Sequence, residues 1–111
     1  MTQATAGAYR TVMSSDALPN DFVVPFYLDD RKLRISVARV DERLYAFDDL
    51  CTCPDEPCAL SGGLLVGTVI VCQCHGSRLD LASGVAIEGP ATEALTTYEV
   101  QELDGPVMLR A

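Results

Sequence analysis

The chain has 111 residues, 49% of them hydrophobic, and carries 16 Asp and Glu against 8 Lys and Arg, a formal charge of -8. That length supports one domain with a modest core, and that charge disfavours nucleic acid or an anionic membrane, because phosphate contacts need a basic face. No apolar run approaches bilayer-spanning length, and Met1 to Ala8 have neither the basic start nor the apolar stretch of a signal peptide. A cytoplasmic, soluble protein is expected, with residues 1–8 a flexible N-terminus and residues 9–111 a single domain.

Taken in chain order, the elements read as strands. Phe22 to Leu28 is the first, and Asp29-Asp30 offers the turn that follows it. Leu33, Ile35 and Val37 then alternate with Lys32, Arg34 and Ser36, the period-2 pattern of a strand with one face buried. Leu44 to Phe47 leads into one cysteine-bearing loop, and Thr68 to Val71 leads into another. Ser83-Gly84 and Asp104-Gly105 mark later turns, the second joining Thr96 to Glu102 with Val107 to Arg110 as a terminal hairpin. Thr92 to Leu95 allows at most one helical turn. Short strands with punctuated turns predict an all-β fold, an antiparallel sandwich or barrel.

The chemistry is concentrated in two clusters, Cys51-Thr52-Cys53 and Cys72-Gln73-Cys74-His75, which hold four of the five cysteines and the only histidine. Thiolate and imidazole bind soft or borderline metals, so two loops carrying two ligands each can complete a four-ligand site. One reading of that site is a structural zinc centre on Cys51, Cys53, Cys72 and His75, since a three-cysteine, one-histidine set is a standard zinc site. The close Cys-x-Cys spacing suits a binuclear cluster better. With the single histidine engaged, no serine or cysteine nucleophile has an imidazole base beside it, so catalysis by the domain itself is not expected.

The second cluster, Cys72-Gln73-Cys74-His75-Gly76-Ser77, resembles the second ligand loop of the Rieske-type 2Fe-2S proteins, whose signature is Cys-x-His, a spacer, then Cys-x2-His. The resemblance extends to Leu60-Ser61-Gly62-Gly63 and Gly67, and then to Asp80, Ser83-Gly84 and Gly89-Pro90-Ala91. It ends on Leu95 and Tyr98-Glu99-Val100, so that it covers roughly residues 9 to 110. It implies a Rieske-like all-β domain with two metal-binding loops and a 2Fe-2S cluster. The corresponding activity is that of a one-electron carrier, a ferredoxin passing electrons from a reductase to an oxygenase or similar terminal enzyme. A clusterless subunit of the same fold is a further alternative, though such chains generally lack the ligand cysteines.

The departure lies at Cys53, where the family has histidine. By the resemblance, Cys51 and Cys72 would hold one iron, and Cys53 and His75 the outer one. A thiolate in place of a neutral imidazole adds negative charge at the iron that accepts the electron, which should lower the potential. His75 would be the one group whose protonation follows reduction. In one subgroup of the family a disulfide ties the two loops together, and Cys58 and Cys74 occupy similar places. Two separate thiols, or either residue replacing Cys53 as a ligand, are the alternatives.

Other positions acquire roles from the same resemblance. Ser77 would donate its hydroxyl to a cluster sulfur, unless it only caps a turn, and Pro90 would lie in the loop that covers the cluster. Leu79 stands where the family carries an aromatic, which would leave one wall of the site more open. Gly76 would let the backbone pass close to the cluster, and Gly62-Gly63 would release the chain into the next strand. Asp48, Asp49, Asp55 and Glu56 flank the first loop and are candidates for an acidic docking edge facing a basic partner, or else belong to a solvated loop.

Overall fold

A computed structural model describes residues 9–52, 58–74, 76–89, 91, 93–102 and 105–110. The described residues form ten strands: β1 (Arg10–Ser14), β2 (Phe22–Leu28), β3 (Leu33–Val40), β4 (Arg43–Asp48), β5 (Leu64–Val66), β6 (Val69–Val71), β7 (Arg78–Asp80), β8 (Ala86–Glu88), β9 (Thr97–Glu102) and β10 (Pro106–Arg110). Two antiparallel sheets result. A six-stranded sheet runs in the order β1-β10-β9-β4-β3-β2, and a four-stranded sheet, inserted between β4 and β9, runs β5-β6-β7-β8. The all-β antiparallel expectation is met, and none of the helices formed by the described residues is long and apolar enough to cross a membrane.

The strands follow from their side chains and their place in the sheet. β2 contains Pro25, which has no N–H to give to a ladder, and it lies at the end of the six-stranded sheet where only one neighbour has to be satisfied. β3 departs from its expected one-sided burial. Ile35, Val37, Ser36 and Ala38 are all buried, because β3 lies between two apolar clusters. Ile35 and Val37 join Leu18, Leu28, Ala46, Val107 and Leu109 on one side. Ala38 joins Phe47 and residues of the small sheet on the other. Period-2 alternation sees hydrophobicity alone and reads Ser36 as an outward residue. Its hydroxyl instead finds a buried partner.

Strand β1, with its irregular register against β10 between Thr11 and Met13, was not among the expected strands, and neither were the three-residue strands β5, β7 and β8. The three-residue strands are too short for alternation to develop and are defined by their neighbours, and β1, whose register is irregular, lacks a regular alternation. Short 3-10 turns fall at Ser15–Ala17 and Leu60–Gly62, whereas the described residues between 93 and 95 form no helical turn. The expected hairpin of β9 and β10 is present, with Glu102 paired to Val107. Residues 1–8 lie outside the described residues.

A side-chain clamp closes the large sheet away from the cysteine loops. Arg39 on β3 donates through Nε to the Leu18 carbonyl at 2.6 Å and through Nη2 to Glu102 on β9 at 2.6 Å. Ser15 donates its hydroxyl to the same carboxylate. The bonds from Arg39 and Ser15 hold the Glu102 carboxyl well below the usual carboxylate range, at about 2.

Candidate metal centre

Both cysteine loops hang from strand ends, as their sequences led one to expect. β4 ends at Asp48, and Cys51 follows it, 4% exposed. β6 ends at Val71, and Cys72 follows directly, 2% exposed. The two sulfur-bearing residues belong to one apolar cluster with Leu60, Ile70, Leu79, Leu81, Ala91 and Leu95. Leu79 is fully buried there.

Each loop is closed by its own backbone at the cysteine. In the first, Cys51 N–H donates to the Cys58 carbonyl at 2.9 Å, Leu50 and Ala59 form a bridge, and Leu60 N–H donates to the Asp49 carbonyl at 2.7 Å. In the second, Cys72 N–H donates to the Ser77 carbonyl at 2.8 Å, and Gly76 N–H donates back to the Cys72 carbonyl at 3.0 Å. Gly76 has φ of 76°, a left-handed conformation that a side chain disfavours, while a Cβ built there meets nothing within 4 Å. Among the described residues glycine is required there by its backbone conformation. At Gly63 a Cβ would collide with the Val71 carbonyl beside the pairing of β5 with β6.

Three ties bring the loops together. Cys58 and Cys74 form a disulfide with Cα atoms 6.4 Å apart, so their sulfurs are committed to each other and neither has a free thiol to serve as a metal ligand. A segment after β8 covers both loops, with Ala91 N–H donating to the buried Ser77 hydroxyl at 2.9 Å and Thr52 Oγ1 donating to the Glu93 carbonyl at 2.7 Å. Behind the second loop, the Ser83 hydroxyl and then Thr68 hydrogen-bond Asp80 and hold its carboxyl below the usual range. Cys53, His75, Pro90, Asp55 and Glu56 lie outside the described residues.

The acidic residues that were expected to form a docking edge divide. Asp48 accepts the Tyr98 hydroxyl at 2.6 Å, and burial together with this bond pushes the Tyr98 phenol above its ordinary range. Asp49 is fully buried and cannot face a partner; its carboxylate is bonded to Arg34, Ser36 and Ser61. Sequence offered no sign of this, because those partners are brought to Asp49 by the β3–β4 pairing and by the return of the first loop. Thr52 likewise gives no sign in sequence of its bond to the Glu93 carbonyl.

Chemically, the arrangement is two buried thiol-bearing residues at the ends of β4 and β6, in one apolar cluster and on loops joined covalently. That donor chemistry fits a sulfur-rich metal centre shielded on its inner side, with Cys53 and His75 as the other two candidate donors. Among the described residues no group of three His, Cys, Asp or Glu is assembled.

Residues 8–99 match the family model of the Rieske [2Fe-2S] domain. The ferredoxin component of the naphthalene 1,2-dioxygenase/salicylate 5-hydroxylase systems of a Ralstonia species is 33% identical over 95 residues, covering 86% of this chain and 88% of that one. Ferredoxin CarAc of Metapseudomonas resinovorans is 36% identical over 73 residues, 66% of each chain. Among solved structures, Sphingomonas yanoikuyae B1 ferredoxin superposes with a TM-score of 0.84 at 26% identity, over 94% of this chain and 99% of that chain. A chain of the complex of reduced oxygenase and oxidized ferredoxin in carbazole 1,9a-dioxygenase gives 0.81 at 26% identity, over 92% of each.

Proposed function

The chain belongs to the Rieske [2Fe-2S] domain family and is an electron-carrying component rather than an enzyme in itself, and from that premise we propose that it delivers electrons from a reductase to a terminal oxygenase or similar redox enzyme. The observation that carries this reading is the pair of buried residues Cys51 and Cys72 at two strand ends, on loops tied by Cys58 and Cys74. When bound, a 2Fe-2S cluster supplies a one-electron couple. The chain's own part is to hold it through two strand-anchored loops, to keep water from its inner side with Leu60, Ile70 and Leu79, and to shield it with the segment around Ala91. We place this carrier in the cytoplasm.

We assign the ligands as Cys51, Cys53, Cys72 and His75, three thiolates and one imidazole. The raised potential of Rieske centres is attributed to two histidines on one iron. Cys53 removes one of them and adds a negative charge, which favours the oxidised state. A midpoint potential below the Rieske lower bound of about -150 mV, towards roughly -400 mV, is expected.

Absorption spectra before and after dithionite, with iron, zinc and acid-labile sulfide assayed on the same sample, test the reading. Two irons and two sulfides per chain with a bleaching spectrum support the carrier. A colourless protein with one zinc would overturn it. The ligand set is tested by the Cys53→His variant, whose midpoint should rise above that of the wild type. A wild-type midpoint above zero refutes Cys53 as a ligand.

A further inference from the structure

We propose that Asp49 is the positioning residue through which the six-stranded sheet fixes the first ligand loop, and that its buried charge holds down the potential of the centre; this rests on the carrier reading above. The chain leaves Asp49, passes through Cys51, and returns to Asp49 at Leu60 and Ser61. Both ends of the loop meet at this one residue. Leu60 N–H donates to the Asp49 carbonyl at 2.7 Å, and Ser61 N–H donates to the side chain at Oδ1, also at 2.7 Å. The Ser61 hydroxyl adds a bond to Oδ2 at 3.1 Å. From β3, Arg34 Nε reaches Oδ2 at 2.5 Å and the Ser36 hydroxyl reaches Oδ1 at 2.8 Å. Asp49 N–H donates to the Arg34 carbonyl at 2.9 Å.

All of these side-chain contacts come from donors, so the group serves purely as an acceptor, as a carboxylate does. The two charges of the ion pair differ in their surroundings. The Asp49 side chain is 0% exposed and that of Arg34 is 50% exposed. Water screens the guanidinium, while the carboxylate acts through the low-dielectric interior two residues from Cys51. The pair therefore leaves a net negative field at the first loop, which disfavours an added electron. The sequence carries both halves of the device, Arg34-x-Ser36 on one strand and Asp49 at the end of the next. The antiparallel pairing of β3 with β4 brings them together.

The test compares wild type with D49N, R34Q and S61A, measuring the midpoint potential by optical redox titration and the rate of iron loss to a chelator. D49N keeps the size of the side chain and removes its charge, so its potential should rise. R34Q should lower the potential by a smaller amount, because the charge it removes is screened. S61A keeps the charge and loosens the clamp, leaving the potential in place and raising the rate of iron loss on the order of 10-fold. Identical potentials in wild type and D49N overturn the proposal. Should D49N fail to fold, an unchanged potential in R34Q together with an unchanged loss rate in S61A overturns it instead. A wild type without iron refutes the carrier reading. The clamp is then judged by hydrogen exchange of the Ser61 amide, which should quicken in S36A; no change there overturns the clamp as well.

Discussion

Glu42 closes the β3–β4 hairpin with φ of 66°, beside Asp41 at 51°. Two left-handed residues in a two-residue loop match the twist of the flanking strands, and glycine or asparagine ordinarily supplies them. A side chain in this conformation costs about 1 kcal/mol. The loop keeps its shape partly because Glu42 N–H donates to Asn20 Oδ1 at 2.9 Å. Glu42→Gly retains that donor and relieves the strain, so urea unfolding should show a gain of up to about 1 kcal/mol, reduced by the greater freedom of glycine in the unfolded chain. Glu42→Ala, with the same Cβ, should show no such gain. At this scale the cysteines were legible because their chemistry is restrictive, whereas Asp49 resembled any loop aspartate. A residue's charge is visible in sequence, and its burial is not.

Between elements, Glu102 links β9 to Arg39 on β3 and to Ser15 ahead of β2. Its carboxyl is lowered from 4.5 to about 2 in the folded protein. The folded state therefore binds the proton less readily than the unfolded chain. The resulting stability is fully present above pH 4.5 and is lost as the pH falls through 4.5 towards 2. Because the side chain is one-third exposed, solvent screening keeps this contribution below about 1 kcal/mol. Unfolding midpoints of wild type and Glu102→Gln should differ at pH 6 and converge near pH 2; a constant difference would show that the carboxylate charge is not responsible. The strands of this clamp were readable where alternation or turn residues marked them, as in β2 and in the β9–β10 hairpin. β7 and β8 were not, because three residues give no period and their pairing comes from β6.

For the whole molecule, the Cys58–Cys74 bond joins the loop ahead of β5 to the loop between β6 and β7 across a sequence separation of 16. A closed loop of that size restricts the unfolded chain by about 3 kcal/mol. The double variant Cys58→Ser with Cys74→Ser should unfold at lower urea by a comparable amount, and a dithiol reductant should reproduce the loss in wild type but not in the variant. The net charge of -8 acts over longer distances. The ion pairs of Arg10, Arg34, Arg39, Arg78 and Arg110 each neutralise one acid and leave the excess uncompensated. With a basic redox partner, the second-order rate of electron transfer should fall on the order of 10-fold as ionic strength rises from low to well above physiological. Stopped-flow measurement across a salt series checks this, and a rate that rises with salt excludes a basic docking face.

The sequence by itself determined the kind of chemistry, because few side chains bind soft metals and their spacing and neighbours resemble one family closely. It also determined the all-β class, since β-branched and aromatic runs broken by Asp and Gly leave little scope for helix. Only the tertiary structure decided that β3 is covered on both faces, that Asp49 is an interior anchor and not a docking residue, and that Cys58 meets Cys74. Each depends on residues distant in the chain being brought together by sheet pairing. Burial and partnership are properties of that assembled pair, and no local pattern of side chains encodes them.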